Sequence, residues 1–161
     1  MDNTELKRQY AKLTKLIDDT EKSTLGNLEL QGHWGKYLCV LTSGFLENAI
    51  SAVYIDFVSK ASSPHVSRYT LKHLEGIANP KAQRFVNVAN QFKKEWGTEL
   101  EEYFKNNPDK KEAIDSIMTN RHLVAHGKAT SISVHRVREY LDKSIEVIRY
   151  IEKQCANKHV V

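Results

Sequence analysis

The sequence predicts an all-α fold: a bundle of four main helices with short helical insertions between the second and third. Apolar residues recur at helical spacing through most of the chain. Period-two alternation bounded by turn dipeptides is nowhere sustained. Pro64 and Pro80 follow Ser63 and Asn79 in the manner of helix starts. The first helix is marked by Leu6, Tyr10, Leu13 and Ile17, and it closes near Asp18-Asp19-Thr20. A polar, glycine-containing link leads to the most apolar segment, from about Trp34 to Lys60. There Leu38, Leu41, Phe45, Ala49, Val53 and Phe57 form one broad stripe, which places this helix at the centre of the bundle. Ser63-Pro64 and Asn79-Pro80 predict two shorter helices, the second carrying Phe85, Val88, Phe92 and Trp96. Thr98 with Glu101, and Asp109 with Glu112, have capping-box spacing, so one short helix ends near Asn106-Asn107-Pro108 and another begins at Asp109. After Gly127 a polar loop gives way to Val134, Val137, Leu141, Ile145, Ile148, Ile151 and Cys155, a final helix of about six turns by the 3.6-residue repeat.

The 161 residues suit one domain, 1–161, long enough to bury a core without disulfide or metal staples. The start, Met1-Asp2-Asn3-Thr4-Glu5, lacks a basic and then apolar leader, and no uninterrupted apolar run approaches membrane-spanning length. The expectation is a soluble, cytoplasmic protein with no membrane contact. Cys39 and Cys155 sit inside apolar helical patterns and are expected as reduced core thiols. A net charge of +4 permits an anionic partner without demanding one. There is neither a Gly-rich phosphate loop nor a Gly-x-Ser-x-Gly elbow, so the common nucleotide-hydrolysing and serine-esterase patterns are missing.

The segment Asn120-Arg121-His122-Leu123-Val124-Ala125-His126-Gly127 carries the chemistry. Arg121 stays protonated and can clamp two phosphate oxygens with its planar fork, while His126 can take and return a proton near neutrality. The pair suits RNA cleavage without a metal or other cofactor. Five residues rotate about 140° around a helix, so one regular helix cannot aim both at one atom. Either the helix ends between them or a second chain completes the site. Gly127 supports an ending, being the residue type favoured just past a helix C-terminus. A helix end also attracts basic residues for dipole and capping reasons alone.

An all-helical chain with Arg121, the polar His122, Leu123-Val124-Ala125 and then His126-Gly127 near the end of the third main helix resembles the HEPN superfamily. The run Ser43-Gly44-Phe45-Leu46-Glu47-Asn48-Ala49-Ile50 is similar to that of the RiboL-PSP-HEPN branch. The resemblance implies an endoribonuclease, commonly a toxin or antiviral defence effector, acting on RNA as a homodimer whose two motifs share a composite cleft. It implies products with a 2′,3′-cyclic phosphate and a 5′-hydroxyl, catalysis by Arg121 and His126, and support from His122. An antitoxin or regulatory protein is a further partner of such effectors. Where one nucleotidylated toxin group has Tyr two residues after the motif His, this chain has Lys128, which puts that regulation in doubt.

Glu47 lies in so apolar a helix that its carboxylate needs a cation, a backbone donor or water. Arg121 is one candidate partner and the wet edge of the helix is the other reading. Asn48 either caps a neighbouring helix or bonds within the dimer. The basic residues after the motif interleave with an apolar stripe, as on an ordinary solvated helix face, and among them only Lys128 and Arg136 are close enough in sequence to the motif to guide RNA. His122 and His126 have a spacing that can bind zinc, but Leu123 stands where the catalytic zinc pattern needs Glu, and the metal assignment is none. The alternative function is a non-catalytic HEPN-like helical dimer that binds RNA, a nucleotide or a protein.

Overall fold

Asn3 opens the first helix by accepting the Leu6 backbone N–H on its side-chain oxygen at 3.0 Å, which satisfies one of the amides that a helix start leaves over. From there the computed structural model describes residues 3–156 as seven helices, with no strand among them. Met1, Asp2 and residues 157–161, and with them the outer edges of the expected 1–161 domain, lie outside the described residues. The order is α1 Thr4–Ser23, α2 Leu28–Ala61, α3 Pro64–Leu74, α4 Ala82–Phe92, α5 Lys94–Asn106, α6 Pro108–Ala125 and α7 Val134–Ala156. The four main helices are α1, α2, α6 and α7, and the three shorter ones form the insertion between the second and third.

The most apolar helix is the centre, as its stripe predicts: α2 packs against α1, α3, α6 and α7. By length and composition it could cross a membrane, with a mean hydropathy of 1.5 over its most apolar window, yet 56% of that window is buried inside the bundle. Leu38, Cys39, Leu46, Ala49, Ile50 and Tyr54 are fully enclosed. Tyr54 stacks on Phe92 with ring centroids 4.5 Å apart, which fixes the end of α4 to α2. The outer helices are tied by charge, with Lys110 of α6 meeting Glu146 of α7 at 2.7 Å and Arg138 of α7 reaching Asp18 of α1.

Several boundaries differ from expectation for identifiable reasons. The link after α1 is short: Asn27 caps Leu30 N–H at 2.9 Å and α2 begins at Leu28, six residues before Trp34. That first stretch was illegible because Leu28 and Leu30 face outward, so they set no core periodicity. At Asn79-Pro80 the helix does not start on the proline. Asn79 has a left-handed backbone (φ 50°), and α4 begins at Ala82, whose N–H is accepted by Asp115 of α6 at 2.8 Å. A carboxylate distant in sequence thus takes the role expected of a local cap. The chain breaks again at Lys93, so Trp96 belongs to α5 and not to the helix of Phe85. Thr98 lies inside α5 and donates to Lys94 O, while Asp109 follows the cap Asn107, so neither proposed capping box forms.

One close approach positions the candidate site. Gly35 of α2 lies against the link between α6 and α7, where a Cβ would stand 2.1 Å from Ile132 O. Because the obstacle is backbone, the Gly35→Ala protein is expected to lose about 1–3 kcal/mol of stability by overpacking. Urea unfolding checks this as a lower midpoint with an unchanged slope.

Candidate active site

The motif occupies the last turn and a half of α6 and the first residues of the link beyond it. The helix stops after Ala125 because two backbone bonds fold the chain back, Gly127 N–H to Val124 O at 3.1 Å and Lys128 N–H to Leu123 O at 2.8 Å. With Gly127 left-handed at φ 63°, this is a Schellman closure, and it leaves His126 as the C-cap. The expected ending is therefore present, between Arg121 and His126. Asn120 anchors the link from below: its amide donates to Ser116 O and its carbonyl oxygen receives the Thr130 hydroxyl.

Arg121 and His126 remain on different flanks of this helix. Arg121 continues the stripe of Ile114, Ile117 and Met118 that faces the core, and it is half-buried where that stripe reaches the surface. His126 is exposed and its ring lies beside that of His122, with centroids 4.3 Å apart at 56°. Within one chain, then, the two imidazoles are neighbours, while the Arg121 position is about 140° around the helix from that of His126. Among the described residues no carboxylate lies within ion-pair distance of Arg121. A guanidinium without such a partner is able to take an anion in its planar fork.

Beneath Arg121 lies Cys39, which sequence reasoning read only as a core thiol. Its Sγ donates to Ile117 O at 3.4 Å and faces the Arg121 backbone N–H, and burial pushes the thiol up to about 12. Cys39 and Gly35, one turn apart on α2, therefore hold the two sides of the motif, the last turn of α6 and the returning link. The signal that could have found Gly35 is a glycine within an apolar helical run, where a close backbone approach is a common reason for its presence.

The remaining sequence candidates are dispersed. Glu47 does not pair with Arg121: its carboxylate accepts Asn79 N–H at 2.5 Å, the backbone-donor alternative. The reason is the antiparallel course of α2 and α6. Cys39 stands level with Arg121, so Glu47 is about 12 Å further along α2, at 1.5 Å per residue. Asn48 is exposed on α2 and lines a shallow groove with Gln9, Lys12 and Leu16 of α1. Arg136, in the first turn of α7, is drawn to Glu139 at 2.7 Å and lies over the Tyr140 ring, so its charge is partly met within α7. Lys128 is exposed immediately after Gly127. Among the described residues no third His, Cys, Asp or Glu joins His122 and His126 in a metal-sized cluster.

A feature with no counterpart in the sequence reading is the outward face of α2. Leu30, Trp34 and Tyr37 are exposed on a stripe that continues through Leu41 and Gly44 to Asn48, with Trp34 packed edge-on against Tyr37 at 5.6 Å. At about 100° per residue, this stripe lies roughly half a turn from Cys39 and the contact with α6.

Comparison with known proteins bears on the whole of this arrangement. The family model described as RiboL-PSP-HEPN matches residues 2–157. No curated protein and no solved structure matches the chain.

The helix end itself is open to test. A Cβ at position 127 meets no neighbouring atom, so Gly127→Ala is opposed only by its left-handed backbone and is expected to cost about 1–2 kcal/mol. Thermal unfolding should show a fall of a few degrees, about 2–4 °C for each kcal/mol in a chain of this size.

Proposed function

The chain belongs to the RiboL-PSP-HEPN family, which implies an RNase-like or RNA-related function, and on that premise we propose that it is a metal-independent endoribonuclease. The observation that carries the proposal is the half-buried Arg121, which has no carboxylate partner among the described residues and lies near the end of a helix whose terminus also presents His122 and His126 to solvent. In the proposed reaction an imidazole removes the proton of a ribose 2′-hydroxyl, and the freed oxygen attacks the adjacent phosphorus. Arg121 holds the phosphate oxygens as charge grows on them, and an imidazolium returns a proton to the departing 5′-oxygen. The bond from phosphorus to that oxygen breaks, leaving a 2′,3′-cyclic phosphate and a 5′-hydroxyl. His126 is the first choice for proton transfer, with His122 orienting it or serving as its partner. Lys128 stands where it can meet the RNA backbone beside the motif, and Arg136 contributes less because of Glu139.

We propose further that the working unit is a cytoplasmic homodimer. Arg121 and His126 diverge on α6, so a second chain supplies what one chain does not bring together. The exposed Trp34-Tyr37 stripe of α2 offers apolar area for a two-fold contact. That contact must extend around α2 to the outer flank of α6 for the motifs to meet, since the stripe lies away from the α6 contact. The free thiols of Cys39 and Cys155 fit a reducing compartment. A toxin or antiviral role, with an antitoxin or regulatory protein as partner, fits such an enzyme. The divergence of Arg121 and His126 also supports a second reading, a non-catalytic dimer that uses the same surface to bind RNA, a nucleotide or a protein.

Replacing Arg121 or His126 by Ala is expected to lower the RNA cleavage rate by about 100-fold or more, the usual cost of losing a phosphate clamp or an acid-base group. Folding and dimer size should be unchanged, and EDTA should have no effect. Wild-type protein that binds RNA without producing 2′,3′-cyclic ends supports the non-catalytic reading. Inhibition by EDTA that zinc reverses replaces the mechanism with a metal-dependent one.

Mixing the Arg121→Ala and His126→Ala proteins tests where the site assembles. With subunit exchange verified by two tags, partial recovery of activity is expected, because the mixed dimer contains one intact cross-chain pair. Absence of recovery despite exchange locates each site within one chain.

A further inference from the structure

A block of net positive charge lies outside the motif as well as around it. Residues 61–94, which hold α3, α4 and their links, contain Arg68, Lys72, Lys81, Arg84, Lys93 and Lys94 against one acid, Glu75. That is a net +5 in a chain whose total is +4, so the rest of the protein is close to neutral. Among the described residues none of these six cations makes an ion pair. Several cations elsewhere, by comparison, do have a carboxylate partner. Arg136 is met by Glu139, Arg138 by Asp18 and Asp142, Lys143 by Glu139 and Asp109, and Lys110 by Glu146. Cations already paired add little to a polyanion's binding, whereas unpaired ones release the counterions of each phosphate they touch.

The same segment exposes an aromatic side chain among these cations. Of the eleven residues of α3 only Leu74 is buried, and Tyr69 is 77% exposed, directly between Arg68 and the helix turn that carries Lys72. Tyr69, Thr70 and His73 form one wall of a groove whose other wall is Gln91 and Phe92 at the end of α4. Lys93 and Lys94 follow at once. The groove is firmly founded, since Phe92 stacks on the buried Tyr54.

We propose that this groove is a distal binding site for single-stranded RNA, in which a base stacks on Tyr69 while Arg68, Lys72, Lys93 and Lys94 hold the flanking phosphates. Aromatic stacking combined with a basic track is how single strands are bound without sequence readout, and a paired base cannot reach such a side chain. The inference rests on the reading of the chain as an RNA-acting protein, though not on its being a nuclease. The groove is remote from the motif. The Ser51 hydroxyl of α2 donates to Leu74 O at the foot of α3, twelve residues from Cys39 and therefore about 18 Å along the helix from the level of Arg121. A strand that occupies both places spans several nucleotides, so a dinucleotide at the motif does not feel the groove.

The test measures binding of a long fluorescent single-stranded RNA, and of a dinucleotide, to the full chain carrying His126→Ala so that cleavage does not intrude. Adding Tyr69→Ala is expected to weaken long-RNA binding about ten-fold, within the range for loss of one stacked base. Adding Arg68→Ala with Lys72→Ala is expected to reduce the slope of log affinity against log salt by about 1.4, or ~0.7 for each phosphate contact on a single strand. Dinucleotide binding and melting temperature should stay as they were, because these side chains are exposed. Unchanged long-RNA affinity and salt slope in both variants overturns the proposal. So does stronger binding of duplex than of single strand, or loss of binding to anionic phospholipid vesicles with RNA binding intact, which assigns the surface to a membrane. If the groove variants lose RNA as expected while the wild-type protein cleaves none, the groove stands and the nuclease reading falls.

Discussion

The approach of α2 to the end of α6 is the constraint on which the rest of the site depends. At Gly35 the helix backbone comes so near the link at Ile132 that no side chain fits between them, and at Cys39 it meets the Ile117–Arg121 turn of α6 through a sulfur. Helix packing of this closeness demands small residues at the contact. The two contacts act on opposite sides of the Gly127 turn, so the helix end is clamped both before and after the histidines. The bundle core, from Leu38 to Ile148, gives α2 and α6 their mutual position, and the small residues convert that position into a fixed helix terminus.

The helical layout was legible because its signals are local. Leu6, Leu13 and Ile17, the long stripe of α2, and the run from Val134 to Ile151 each repeat at the spacing that burial requires, and all of them are buried or half-buried. The end of α6 was readable for the same reason, since Gly127 supplies a backbone conformation that other residues resist. What was misread involves partners distant in sequence. Asp115 caps α4 across the fold, and of the partners open to Glu47 it is the Asn79 backbone donor, not Arg121, that it takes. Neither bond has a local signature, because a carboxylate's partner is chosen by tertiary position. The start of α2 was missed in a different way: its apolar residues point outward, and periodicity reports a helix only when a face is hidden.

Charge and apolar surface divide the molecule into regions with separate tasks. In the proposed reading, Arg121 and the two imidazoles supply the chemistry and the Trp34-Tyr37 face the area for a second copy, while the inserted helices carry a net positive charge. Summing charge over the whole chain hides such local differences, because the +5 of the insertion and the −1 of the remaining residues sum to a modest +4. Fields at a surface follow local sums, screened over roughly 10 Å at ordinary salt, so the insertion presents an anion with a far more basic protein than the total suggests.

The Schellman closure at Gly127 has an evolutionary corollary. Most surface connections tolerate insertions and deletions, because added residues bulge into water at little cost. The link from Gly127 to Ser133 has no such freedom: its first residue must turn left-handed, Thr130 is bonded back to Asn120, and Ile132 is pressed on Gly35. Lengthening or shortening it by one residue would break register with at least one of these fixed points. Divergence in this lineage should therefore preserve the length of this link while changing the lengths of the connections around α3, α4 and α5.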